Sequence, residues 1–142
     1  MIDFQLTDDQ IALQAKAREF ALREVHPVAQ HYDQTGEFPR DVINKAHKAG
    51  LMNLGVPKAY GGHGYGQLES VLVVEEMAAM CAGMTTSIYV NDLGTTPIIL
   101  GGSEDQKQKW LAPLAKELRF VSFATSEPGM GSDVAGIQTS YE

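Results

Sequence analysis

The spacing of apolar residues changes once along this chain, and that change constrains the fold more than any other feature. Over about the first 117 residues, apolar side chains recur at helical spacing. From residue 120 to residue 126, apolar and hydroxyl side chains alternate, which is typical of a β-strand. We therefore predict a helical domain over residues 1–118 and the truncated start of a β domain over residues 119–142.

Capping residues, glycines and prolines divide the first domain into helices. Thr7 with Gln10, and Ser103 with Gln106, form capping-box patterns that predict two helix starts. Pro27 is expected to interrupt or kink the first helix. Further helices are predicted from Pro39 and over residues 67–82, 85–93 and 97–100, with Gly83 as a helix end.

Two predicted helices carry apolar residues on more than one side. The first helix places three apolar residues near one face and four beside them: Ile11, Ala15 and Leu22, then Leu13, Ala17, Phe20 and Ala21. The 67–82 helix is apolar on most sides and is therefore predicted to be central. Its stripe at helical spacing is Leu68, Val71, Leu72, Glu75 and Ala79.

Charge and composition exclude several classes of function. The chain has 142 residues and a net charge of −7, and its basic residues are dispersed, which argues against a nucleic-acid surface and a polybasic membrane patch. No apolar stretch reaches 18 residues, so no membrane span is predicted. The single cysteine, Cys81, indicates a reducing compartment. The first residues resemble neither a signal nor a transit peptide, which favours a bacterial cytoplasm over a mitochondrial matrix.

Common catalytic and nucleotide-binding patterns are missing or misplaced. The glycine-rich loop at residues 60–66 reads G-x-G-x-G and follows helical sequence, so we interpret it as a tight turn between helices. The four histidines lack metal-ligand spacing, and no G-x-S-x-G nucleophile motif occurs. Glu75 and Glu76 point about 100° apart on a helix, so we expect one of them to be buried and salt-bridged rather than catalytic.

Residues 123–139 combine hydroxyls, glycines and a Glu-Pro-Gly turn. Small residues let a planar, acceptor-rich ligand approach the backbone closely. Seven residues match the signature of the acyl-CoA dehydrogenases: Ala124, Ser126, Glu127, Gly131, Ser132, Asp133 and Gly136. Thr125 and Met130 depart from it. The chain also resembles this family, most closely the medium- and short-chain types, at FxLTxxQ, AxxxGLMNLGVP, YGGxGYG and QKxKWLxPLA.

The resemblance implies a fold and a ligand set. The fold would be an up-and-down helical domain followed by the first strand or strands of a middle β-barrel domain. FAD would be bound by Phe123, Ala124, Thr125, Ser126, Gly131 and Ser132. Ser132 would also contact the coenzyme A arm of an acyl-CoA substrate. Thr86, Tyr89, Val90 and Leu93 would border the acyl chain and set its length.

The implied reaction is α,β-desaturation of a fatty acyl-CoA in β-oxidation. A carboxylate base takes the α proton while hydride leaves for the flavin, and the resemblance places that base beyond Glu142. No catalytic residue is therefore assigned here, and Glu127 is expected to be structural. We expect the chain alone to be inactive, with an electron-transfer flavoprotein as acceptor and a homotetramer as assembly.

Other functions stay open at this stage. The chain is alternatively a catalytically inactive helical interaction or oligomerisation module derived from the family. An acyl-CoA oxidase or a branched-chain dehydrogenase also fits the sequence. The unpaired edge at residues 120–141 is expected to self-associate or to be disordered.

Overall fold

The computed structural model describes residues 4–140, and within that range the chain is mainly helical, as predicted. Its seven α-helices are α1 (Asp8–Phe20), α2 (Ala29–Thr35), α3 (Arg40–Lys48), α4 (Gln67–Ala78), α5 (Ala82–Gly101), α6 (Glu104–Trp110) and α7 (Ala112–Lys116). Short 3-10 turns lie at Lys58–Tyr60 and Val134–Gly136.

The helix starts and stops follow local chemistry. At both predicted capping boxes the side chains and backbone amides bond reciprocally, so α1 begins after Thr7 and α6 after Ser103. Pro27 does interrupt the first helix: α1 continues through a π-helical turn at Ala21–Val25 and a 3-10 turn at His26–Val28 before α2. Gly36, with φ of 69°, ends α2 in the left-handed conformation that suits glycine.

The predicted helix end at Gly83 and the division into residues 85–93 and 97–100 are wrong. α4 ends at Ala78, and α5 runs for 20 residues, with Gly83 in its first turn and Pro97 in its interior. Proline costs a helix interior about 3 kcal/mol, so burial along one side of α5 outweighs the local preference at Pro97. The buried side of α5 consists of Met84, Thr85, Ile88, Asn91, Gly94 and Thr95.

One main core joins the helices, and a smaller cluster lies under α7. α1 packs along α4, α4 packs against α5, and α2 and α3 also contact α5. The buried residues of α1 are Leu13, Ala17 and Phe20, whereas Ile11 and Leu22 are exposed. α4 likewise buries one side only and is not enclosed, because Leu68 and Val71 are exposed. Both helices have more apolar side chains than the neighbouring elements cover. The packing of α1 along α4 therefore determines which of these side chains are buried.

The buried carboxylate predicted on α4 is Glu76. Its side chain is 8% exposed, whereas that of its partner Arg18 on α1 is 65% exposed. Arg18 donates two hydrogen bonds, of 2.7 and 2.8 Å, to the two carboxylate oxygens. This bidentate contact fixes α1 against α4 and gives Glu76 a structural role.

The strand predicted over residues 120–126 is absent. In the described part of the chain, the residues after α7 contain no β-strand, only one bridge between Glu127 and Met130 across the predicted Glu-Pro-Gly turn. A strand needs a neighbour to bond its amides and carbonyls, and an isolated pair of strands is marginal in water. The domain boundary at residues 118 and 119 stays a prediction. Of the edge expected to associate, Tyr141 lies outside the described residues.

Candidate functional site

An open cleft of about 460 Å³ lies between α5 and the residues that follow α7. Its lining residues are Phe38, Thr86, Ser87, Val90, Phe120, Val121 and Ser122. The hydroxyls of Thr86 and Ser87 donate to helix carbonyls one turn back, at 3.0 and 3.2 Å, so their hydrogen atoms are already used. The cleft therefore offers a mainly apolar surface of a size that suits a small ligand or an acyl chain.

Two aromatic rings and a cation close one side of this cleft. Phe38 and Phe120 meet edge to face, with ring centroids 5.4 Å apart. The Arg40 guanidinium lies 5.8 Å from the first centroid and 5.2 Å from the second. These contacts hold the start of α3 against the residues after α7 and place a positive charge beside the apolar cleft.

The four predicted acyl-chain residues do not share one environment. Thr86 and Val90 line the cleft, and Leu93 is exposed one turn further along α5. Tyr89 packs against the core instead, and its hydroxyl donates a 2.9 Å hydrogen bond to the Leu51 carbonyl. Burial, and secondarily the charge of Asp92, raises the pKa of the Tyr89 phenol. Their role in chain-length selection stays a prediction.

The predicted flavin-lining residues lie in an irregular segment directly beyond the cleft. Phe123, Ala124, Ser126, Gly131 and Ser132 are exposed, and Thr125 is half-buried. Among the described residues, no hydrogen bond engages the Ser126 or Ser132 hydroxyl. No described atom lies within 4 Å of the place where a Cβ of Gly131 would sit. These uncovered hydroxyls and the open glycine position fit a planar ligand rich in acceptors, such as the flavin ring of FAD.

Glu127 closes this segment into a loop. Its carboxylate accepts hydrogen bonds from the backbone amides of Gln138, at 3.1 Å, and Thr139, at 2.8 Å, and from the Thr139 hydroxyl. These hydrogen bonds, led by that of the hydroxyl, hold the pKa of Glu127 below its ordinary value. The geometry is that of an ionised carboxylate that binds backbone, as expected for a structural residue.

Sequence reasoning missed two buried asparagines beside the cleft, Asn53 and Asn91. The Asn91 amide group donates to the Asn53 side-chain oxygen at 3.0 Å and to the Arg119 carbonyl at 2.8 Å, and its oxygen accepts from the Val121 amide at 2.9 Å. Asn53 in turn donates to the Leu114 carbonyl at 3.1 Å. The sequence did carry a signal for them, because each asparagine lies within a mainly apolar run: Asn53 in residues 51–56 and Asn91 in residues 88–93.

The glycine-rich loop is a turn, as interpreted from the sequence. The amides of Gly62, Gly64 and Tyr65 donate to backbone carbonyls at 54–57, and the Gly66 amide donates to the Glu69 carboxylate. A Cβ at Gly62 would lie 2.1 Å from the Val56 carbonyl oxygen, so only glycine fits there. With its amides engaged internally, the loop has no cradle to offer a phosphate.

Two further site classes find no support in residues 4–140. No group of three or more histidine, cysteine or acidic side chains there is arranged to hold a metal ion. No described helix is both long and apolar enough to cross a membrane.

Comparison with known proteins agrees with this architecture. The family model described as the acyl-CoA dehydrogenase N-terminal domain matches residues 7–117. A probable medium-chain specific acyl-CoA dehydrogenase of Caenorhabditis briggsae mitochondria is 40% identical over 141 residues, which cover 99% of this chain and 35% of that protein. The chain thus spans about a third of the length of this relative.

Two solved structures share the fold. One, described as the electron transferring flavoprotein of Acidaminococcus fermentans, is 36% identical with a TM-score of 0.87, covering 96% of this chain and 36% of that chain. The other, an acyl-CoA dehydrogenase complexed with FAD from Bacillus anthracis, is 29% identical with a TM-score of 0.85, covering 97% and 24% respectively. The family match over most of its length means that this chain belongs to the acyl-CoA dehydrogenase family and corresponds to its amino-terminal domain.

Proposed function

We propose that this chain forms the amino-terminal part of an FAD-dependent acyl-CoA dehydrogenase that desaturates fatty acyl-CoA thioesters. One observation carries the proposal: the apolar cleft beside α5 leads directly into the exposed hydroxyl and glycine residues at 123–132. An acyl-CoA has an apolar chain and a polar thioester end, so this junction offers each part a suitable surface. Family membership supports the reaction class, and the junction supports this location for the site.

The flavin side of the proposed site consists of Phe123, Ala124, Thr125, Ser126, Gly131 and Ser132. FAD, when bound, supplies the hydride acceptor for the desaturation. The Ser126 hydroxyl would donate a hydrogen bond to the polar edge of the ring and stabilise negative charge there. Gly131 leaves room for close approach, and the Ser132 hydroxyl is available to the coenzyme A arm.

The acyl side of the proposed site is one face of α5. Thr86, Val90 and Leu93 are spaced by four and three residues, so they lie along one side of the helix. Their side chains would contact the acyl chain in turn, and their size would limit its length. Tyr89 would act as a fixed wall behind this face, because its hydrogen bond to Leu51 restrains the ring.

The proton-abstracting base is not assigned to this chain. Such a base needs a carboxyl pKa raised towards neutrality. The pKa of Glu127 is lowered, and its carboxylate is held by the amides of Gln138 and Thr139. Both observations favour the structural assignment of Glu127.

An electron-transfer flavoprotein as acceptor and a homo-oligomeric assembly are part of the same proposal. The structural match to an electron transferring flavoprotein structure from Acidaminococcus fermentans supports the first. The exposed apolar residues of α5, Val90 and Leu93, support an assembly in which further protein covers the site.

The test is a visible absorption spectrum of the purified chain after incubation with FAD and desalting. We expect flavin bands to be retained by the wild-type chain. The matched pair is Gly131→Ala, which should lose flavin, and Gly129→Ala, which should keep it; neither position has a described atom within 4 Å of an added Cβ. Complete loss of flavin from a wild-type chain that is still helical would contradict the proposed cofactor site.

A second candidate function is a helical interaction module. It is favoured by the exposed apolar residues on α1 and α4, which include Ile11, Leu68 and Val71. Sedimentation equilibrium separates this candidate from the first: we then expect self-association that Val71→Glu abolishes. A wild-type chain that is monomeric at all concentrations and retains flavin would exclude it.

A further inference from the structure

The four residues 119–122, which lead from α7 into the predicted flavin-lining residues, contact α5 at two positions one turn apart. Asn91 binds the backbone of this segment, and Gly94 lies against Val121. Residues three apart share one helix face, so both contacts come from the same side of α5. We call residues 119–122 the lead-in segment.

Asn91 takes the place of a neighbouring strand. Its side-chain oxygen accepts from the Val121 amide at 2.9 Å, and its amide nitrogen donates to the Arg119 carbonyl at 2.8 Å. In an extended chain, the carbonyl of one residue and the amide two residues later point to the same side, where an adjacent strand would bond both. Asn91 is fully buried, so water does not compete for these bonds.

Gly94 permits the close approach that these bonds need. A Cβ there would lie 2.7 Å from Cγ1 of Val121 and 3.2 Å from the Ser122 carbonyl oxygen. Gly83 and Gly101 belong to the same helix, and an added Cβ at either meets no described atom within 4 Å. The steric demand in α5 is therefore specific to the residue that faces the lead-in segment.

The contact is anchored on its far side as well. The Asn91 amide nitrogen also donates to Asn53, which in turn donates to the Leu114 carbonyl in α7. Nε2 of His47 lies 3.0 Å from the same carbonyl. The end of α7 and the lead-in segment are thus bound to one buried network, which leaves the chain little freedom where it turns towards residue 123.

We propose that Asn91 and Gly94 are positioning residues that fix the lead-in segment on α5 and so set the place of the flavin-lining residues beyond it. This inference rests on the proposed function for its flavin part only. Phe123 follows Ser122 directly, so a shift of Val121 reaches the first flavin-lining residue within two peptide bonds.

The test compares Asn91→Ala and Gly94→Ala with Gly83→Ala as the matched control in the same helix. Two quantities are measured on the whole chain: the hydrogen-exchange rate of the Val121 amide by NMR, and the Kd for FAD by equilibrium dialysis. Gly94→Ala keeps every hydrogen-bonding group and replaces glycine by the best helix former, so it remains informative if Asn91→Ala does not fold.

We expect the Val121 amide to exchange at least about tenfold faster in both variants and at the wild-type rate in Gly83→Ala. The Kd for FAD should weaken at least about tenfold in Gly94→Ala, and the double variant Gly94→Ala with Val121→Ala should recover most of that loss, because it removes the clashing Cγ1.

Unchanged Val121 exchange in both variants would overturn the proposal. So would a wild-type Kd in Gly94→Ala despite faster exchange, because the segment would then not position the flavin residues. If the wild-type chain binds no FAD, the proposed function and the flavin part of this inference both fail. The exchange rates still decide whether Asn91 and Gly94 hold the segment.

Discussion

The helical region up to Lys116 and the segment from residue 119 onwards are stabilised in different ways. The helices bury a shared apolar core, and nearly all fully buried side chains belong to them or to the loop at residues 51–56. In the described part of the later segment, Met130 is the only buried apolar side chain. That segment is held mainly by individual hydrogen bonds. The side chain of Asn91 binds the backbone at its start, and the carboxylate of Glu127 binds backbone amides within it.

Because of this difference, the residues that stabilise the fold are mostly distinct from those predicted to bind flavin. A side chain removed from the core leaves a cavity, whereas one removed from the segment leaves a surface that was already exposed. The residues predicted to bind flavin lie where substitutions cost little folding free energy. Variants of the two regions should therefore divide into two groups, and each variant tests that division.

The largest effect is expected in the core, for Ile43→Ala. Ile43 is fully buried, so its truncation should lower the free energy of unfolding by about 2–5 kcal/mol. The measurement is urea unfolding followed by circular dichroism. Val134→Ala, at a position that is 62% exposed, is the counterpart and should change the value by less than about 0.5 kcal/mol. Equal losses would contradict the division.

The second effect compares two glycines. Gly62→Ala places a Cβ 2.1 Å from the Val56 carbonyl oxygen, and the backbone shift it forces should cost about 1–3 kcal/mol of unfolding free energy. Gly131→Ala meets no described atom and should leave the thermal midpoint unchanged. Differential scanning calorimetry of both variants measures this. A destabilised Gly131→Ala would mean that the segment packs more tightly than its exposure indicates.

An effect of similar size is expected at Asn53, which joins the two regions. Asn53→Ala removes the hydrogen bonds to Leu114 and from Asn91 and should cost about 1–3 kcal/mol in chemical denaturation. Asn53 has φ of 56°, so Asn53→Gly should cost about 1 kcal/mol less than Asn53→Ala, because glycine adopts that conformation without strain. Identical losses would show that backbone conformation adds nothing at this position.

The smallest effect concerns Asp92 and pH. Burial raises the pKa of this carboxyl, although the Gly55 and Leu54 amides partly oppose the rise. The folded protein therefore holds the proton more tightly than the unfolded chain, and this group destabilises the fold increasingly as pH rises from the ordinary carboxyl range through the raised pKa. Asp92→Asn should flatten the stability profile across that range. An unchanged profile by thermal denaturation would contradict the raised pKa.

Much of the helical architecture could be predicted because its signals are local. The Thr7 and Ser103 capping boxes, the interruption at Pro27 and the glycine end of α2 each depend on neighbours in sequence. The failures, in contrast, depend on tertiary contacts. Nothing local indicates that α5 begins at Ala82 and continues through Pro97, or that α1 turns Leu13 rather than Ile11 inwards.

The site residues were assigned from the family resemblance and stay a prediction, and the sequence did not indicate how they are arranged. Small and hydroxyl residues at 123–132 pointed to a ligand surface, but the alternation over residues 120–126 also predicted a strand that this part of the chain does not form. The roles of Asn53 and Asn91 depend on groups at residues 114, 119 and 121. Contacts over such sequence distances result from the fold and cannot be read from spacing.

The π-helical turn at Ala21–Val25 has a consequence for changes in chain length. A π turn takes in one residue more than an α turn, and here it keeps both Ala21 and Val25 fully buried. Loss of one residue from this turn would restore regular α-helical winding with little change of phase, because the wider π turn takes up its extra residue locally. The turn therefore keeps the helix on both sides of it in phase with one core, and a one-residue deletion there should do less harm than one inside α1, which would rotate part of the buried face by about 100°.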